Sequence, residues 1–105
     1  METKDLLFKL SSLDGIANIT DAQTEVIDIL SKYCEVEKTP DHSVIGFLKG
    51  KSDYTIMLDA HIDQVGFVVT NVDDNGFLTV AAAGGIDIRT LPSRPVTVHG
   101  KEKIT

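Results

Sequence analysis

Apolar positions fall into two helical stripes at the start of the chain. In "TKDLLFKLSSL", residues 3–13, Leu6, Leu7, Leu10 and Leu13 recur at helical spacing. This predicts a surface helix lying on a core, with Thr3 as its N-cap. In "TDAQTEVIDILSKYC", residues 20–34, Val26, Ile29, Leu30 and Tyr33 repeat the period, and Thr20 with Gln23 has capping-box spacing. Gly15 separates the two helices.

From Glu35 the pattern becomes that of strands: "CEVEK", "SVIGFLKG", "YTIMLDA", "VGFVVTNV", "GFLTVAAA" and "RPVTVHG". The turn-formers "TPDHS", "GKSD", "DDNG" and "LPSRP" lie between them. Ile56, Met57 and Leu58 are apolar without alternation, which predicts an inner strand covered on both faces. Two helices leading into such a strand predict an α/β layer architecture. Asn75-Gly76 signals a two-residue hairpin joining "FVVTNV" to "FLTVAA". That antiparallel pair belongs more naturally to a small β-barrel or sandwich, so a boundary is expected near residues 67–71.

A length of 105 residues permits one modest domain and is small for a complete enzyme. With 42% hydrophobic and 25% charged residues, the composition is globular rather than disordered. The net charge of −6 comes without a basic stripe, which argues against nucleic acid and against an anionic membrane surface. No run has the length of a bilayer-spanning helix, and no basic segment precedes an apolar signal core. Cys34 is the sole cysteine, so no internal disulfide forms and a reducing, cytoplasmic setting is expected. With no partner histidine to activate it, Cys34 reads as a half-buried thiol at a helix end.

The chemistry concentrates in "TIMLDAHIDQVGFVV", residues 55–69, where Asp59, His61 and Asp63 interrupt an apolar run. Residues two apart in an extended chain face the same way, so the Asp63 carboxylate can reach the His61 ring. A metal-bound histidine usually gives its second ring proton to a carboxylate or carbonyl. An H-x-D tripeptide also arises by chance, and a solvated strand end accounts for it too. One histidine cannot hold zinc alone, and neither His42 nor His99 has ligand spacing to His61. Both read as surface or strand-end residues. "DDNG" reads as a turn rather than a calcium loop, and the glycines of "AAGGID" as a bend or positive φ.

The stretch "LDAHIDQVGFVVTNVDDNGFLTVAAAGGIDIRTLPSRPVTVHG", residues 58–100, resembles the cytosolic dinuclear metalloaminopeptidases. These include glutamyl aminopeptidases and the tetrahedral aminopeptidase, and some carry an endoglucanase label. The helix pair and "SVIGFLKG" fit the same order more loosely. The resemblance implies a zinc-peptidase-like three-layer α/β domain, whose amino-terminal part is residues 1–68. Residues 69–105 would begin an inserted β-barrel domain used in subunit contacts, with "GGID" and "RTL" within it. His61 matches a ligand of one of two divalent metal ions, zinc or cobalt, and Asp63 the carboxylate behind it that orients the ring. Asp59 has no matched role.

The implied reaction is two-metal hydrolysis of peptides bearing a free amino terminus. Two departures stand out. Gln64 occupies a position where glutamate is common, and the segments carrying the bridging aspartate, general base and remaining ligands lie beyond Thr105. A chain supplying one ligand and its orienter is expected to be inactive alone and to form homo-oligomers through its strand edges. The alternative is a non-catalytic β-edge self-association module or a decayed gene product. Glycan hydrolysis lacks the paired carboxylates it needs.

Overall fold

The computed structural model describes residues 2–16 and 19–105. Its elements in order are α1 (Thr3–Ser11), α2 (Asp21–Leu30), β1 (Glu35–Lys38), β2 (Val44–Phe47), β3 (Gly66–Val72), β4 (Leu78–Ala83), a 3-10 turn at Ile88–Thr90, β5 (Val98–His99) and β6 (Lys103–Ile104). The six strands form three separate antiparallel pairs, β1–β2, β3–β4 and β5–β6. Mixed helices and small antiparallel sheets are compatible with an α/β class.

The helices depart from expectation at their starts. Thr3 is already helical, and the N-cap is Glu2, which makes no side-chain cap. Asp5 in the first turn and Lys9 in the last complement the helix dipole instead. Thr20 does hold the N-cap position of α2, but its φ of −112° and ψ of 25° leave it without a capping hydrogen bond. Gln23 is buried rather than folded back as the second half of a capping box, and its Oε1 has no partner among the described residues. Of the apolar stripes, Leu6, Leu10, Leu13, Val26, Ile29 and Leu30 are half-buried. Leu7 and Tyr33 are exposed, because little lies over them.

Helix α2 packs against β1 and β2. The Cys34 thiol donates to the Leu30 carbonyl at 3.4 Å, a satisfied group at a helix end as expected. Lys9 and Glu25 join the two helices through an ion pair of 2.6 Å.

The β3–β4 hairpin forms where predicted, with a longer turn. Asp73 N–H donates to the Phe77 carbonyl at 3.0 Å, and Gly76 N–H donates to the Asp73 carbonyl at 3.0 Å. Gly76 has φ +83°, the left-handed residue that closes a three-residue loop. The Asp73 carboxylate accepts from the amides of Asn75 and Phe77 at 2.9 and 2.8 Å, so "DDNG" is a turn. Thr70 is an extra residue between the pairs Val69↔Val80 and Asn71↔Thr79. Its hydroxyl donates to the Thr79 carbonyl at 3.2 Å, which ties down the bulge.

The expected inner strand is absent. Residues 48–65 carry no helix or strand, and Ile56, Met57 and Leu58 are 85%, 85% and 93% exposed. An inner strand needs a neighbour on each side, and among the described residues none pairs with this segment. Burial is correspondingly slight: Ala22 is the buried hydrophobic side chain among the described residues. Among the described residues, no helix is long and apolar enough to cross a membrane.

Candidate metal centre

The unpaired segment reaches β3 through Ala60-His61-Ile62-Asp63-Gln64-Val65. The spacing argument for His61 and Asp63 holds geometrically: His61 Nδ1 lies 3.2 Å from Asp63 Oδ1 and 3.1 Å from the Asp63 carbonyl oxygen. Both neighbours are acceptors when the carboxylate is ionised, so Nδ1 is the protonated nitrogen and donates. In the neutral ring, Nε2 then carries the free lone pair, the state a metal ligand requires. Both side chains are exposed, at 87% and 74%.

The pair borders an open cleft of about 400 Å³, whose wall includes Ile16, Val65, Ala83 and Gly84. Gly84 has φ +85°, and a Cβ there would meet Val65 Cγ1 at 2.8 Å. A left-handed backbone and close approach together demand glycine, as the sequence anticipated for one of the pair. The donor chemistry of His61 fits one divalent-ion ligand with its orienting carboxylate. Among the described residues, no group of three or more His, Cys, Asp or Glu side chains is placed to hold an ion.

Other candidates take structural places. Asp59 is exposed and makes no hydrogen bond among the described residues. His42 sits in the turn before β2 with φ +68°. Beside it, the hydroxyls of Thr39 and Ser43 hydrogen-bond the Asp41 carboxylate and hold its pKa below the usual range.

Three polar arrangements escaped the sequence reading. His99 Nε2 lies 3.3 Å from Asp14 Oδ2, and Lys103 Nζ bonds the same oxygen. The Lys103 ammonium holds the Asp14 carboxyl below its ordinary value, and Asp14 raises Lys103 in return. Arg89 grips Asp87 through Nε at 2.9 Å and a terminal nitrogen at 2.8 Å, lowering the Asp87 pKa and raising its own. Gln64 binds back to the α1–α2 loop, with its backbone N–H on the Gly15 carbonyl at 2.7 Å and Nε2 on the Leu13 carbonyl at 2.8 Å. Only Asp87–Arg89 had a local signal, an acid and a base two residues apart; the others join distant segments.

Comparison with known proteins agrees with the motif order. Residues 42–105 match the family described as M42 glutamyl aminopeptidase. A putative aminopeptidase of Acetivibrio thermocellus is 33% identical over 91 residues, which cover 82% of this chain and 27% of that protein. A lysyl aminopeptidase of Pyrococcus furiosus is 33% identical over 72 residues, covering 68% of this chain and 20% of the relative. The putative aminopeptidase FrvX of Escherichia coli is 29% identical over 94 residues, covering 86% and 26% respectively. The chain thus spans about a quarter of the length of these relatives. With more than half of its residues matched to the family and the A-H-x-D motif lying inside that match, the chain belongs to the M42 glutamyl aminopeptidase family.

Proposed function

We propose that this chain contributes one corner of a two-metal aminopeptidase site, with His61 as a metal ligand and Asp63 as its orienting carboxylate. The observation that carries the reading is the His61 Nδ1 to Asp63 Oδ1 approach of 3.2 Å within the family-matched stretch. A pair of divalent ions, zinc or cobalt, supplies an activated water and polarises the scissile carbonyl when bound. His61 holds its Nε2 lone pair available, and Asp63 keeps the proton on Nδ1. The substrates are peptides with a free amino terminus, and the setting is cytoplasmic.

In this reading residues 1–68 belong to the α/β catalytic layer and residues 69–105 begin the inserted β-barrel. The base and the other ligands reside in parts of the relatives' length that this chain does not span. The 105-residue chain alone therefore has negligible peptidase activity. Purified chain incubated with free-amino-terminus peptides and zinc or cobalt is expected to release no amino acid; metal-dependent release would overturn this.

Self-association through strand edges is the second reading. It is favoured by three two-stranded sheets, in which every strand is an edge.

A further inference from the structure

The H-x-D pair is presented by a segment with no secondary structure, so something else must hold it. From Leu48 to Val65 the chain forms no helix or strand. Among the described residues, the hydrogen bonds of His61 reach only to Asp63. Among the described residues, the long-range hydrogen bonds of this segment are both made by Gln64.

They converge on one loop. The backbone N–H of Gln64 donates to the Gly15 carbonyl, and its side-chain amide donates to the Leu13 carbonyl, 51 residues away in sequence. Because a carbonyl only accepts, the amide must turn its nitrogen toward Leu13. The loop also lies directly against the motif: a Cβ on Gly15 would meet the Ile62 carbonyl oxygen at 3.1 Å and Ala22 Cβ at 3.3 Å, with Asp63 Cα at 4.0 Å. From its other side the loop is held through Asp14 by His99 and Lys103.

We infer that Gln64 is a positioning residue, whose two donors clamp the His61–Asp63 segment to the α1–α2 loop. The functional weight of this role rests on the metal-ligand reading of His61; the clamp itself does not. At the side-chain end the clamp needs a donor to reach the Leu13 carbonyl in this chain. Glutamate, common at this position in the resembled family, has the same length but sets a carboxylate against a carbonyl oxygen, so in this chain it forgoes the bond to Leu13 and leaves the backbone bond to Gly15 as the only tie among the described residues.

The test uses the labelled 105-residue chain in solution, as wild type, Gln64→Met, Gln64→Glu and Gln64→Lys. Amide exchange at residue 64 and the imidazole 15N shifts of His61 during addition of ZnCl2 are measured by NMR. Losing the side-chain donor in the Met and Glu variants is expected to speed exchange about fivefold and to diminish the weak 15N response of the single His61 imidazole to added ZnCl2. Lysine, which keeps a donor, is expected to restore both in part, while cross-strand contacts of β3–β4 stay unchanged. Unchanged exchange in both the Met and Glu variants, or lysine no better than methionine, overturns the inference. Should the variants lose the hairpin, a through-hydrogen-bond coupling between Gln64 N and the Gly15 carbonyl carbon in wild type decides, and its absence overturns the clamp. Absence of any zinc response at His61 in wild type defeats the metal reading alone, since exchange still judges the clamp.

Discussion

Asp63 offers His61 two acceptors, a carboxylate oxygen at 3.2 Å and its own carbonyl at 3.1 Å. Asp63→Ala removes the charge and one acceptor yet leaves the carbonyl. The share of the neutral His61 ring that carries its proton on Nδ1 is therefore expected to fall without vanishing, as read from the imidazole 15N shifts. Asp63 was legible because a spacing of two is a local geometric fact. Gln64 was not, because its partner Leu13 is 51 residues distant. The two left-handed glycines make a graded pair: Gly76 at φ +83° faces open space, whereas Gly84 at φ +85° faces Val65 at 2.8 Å. Gly76→Ala is expected to cost about 1 kcal/mol of hairpin stability from backbone strain alone. Gly84→Ala is expected to cost more, since strain and overlap add; hairpin populations from NMR would rank them.

At the level of elements, local signals succeeded where the partner is close in sequence. The β3–β4 hairpin pairs Gly66 through Val72 with Leu78 through Ala83, across a turn whose Asp, Asn and Gly announce it. The bulge at Thr70 had no such signal, since register shifts follow from how two strands twist together. Attachment of the β5–β6 hairpin to the α1–α2 loop through Asp14 is likewise non-local and has a definite pH window. The Asp14 carboxyl is lowered by Lys103, so its contribution is full above the ordinary value of 3.8 and is lost as pH falls through the lower folded value. The Lys103 ammonium is raised by Asp14, so its contribution is full below 10.5 and is lost as pH rises through the higher folded value. Contacts between Asp14 and the hairpin, followed by NMR, are expected to persist between these limits and disappear beyond them. Asp14→Asn should weaken them throughout.

For the whole molecule, area and dimensions point the same way. A folded monomer of 11.4 kDa is expected to expose about 5,800 Å², whereas this chain exposes 9249 Å². Its radius of gyration is 17.7 Å, against about 13 Å for a compact domain of this length. Apolar segments such as Ile56–Leu58 remain in water, at a cost of about 25 cal/mol per Å² of apolar surface left unburied. The isolated chain is therefore expected to self-associate with rising concentration and to lack a sharp calorimetric unfolding transition. A monomer at all concentrations by size-exclusion chromatography with light scattering would contradict the first expectation, and a cooperative peak the second. The sequence by itself determined the helices, the strands β1 to β5, the turns and the H-x-D pairing, because each depends on residues within a few positions of one another. Tertiary structure alone decided that Ile56–Leu58 goes unpaired, that Asp14 gathers His99 and Lys103, and that Gln64 holds the opening stretch against the α1–α2 loop. Those outcomes depend on which distant backbone and charged groups meet, and no local periodicity encodes that.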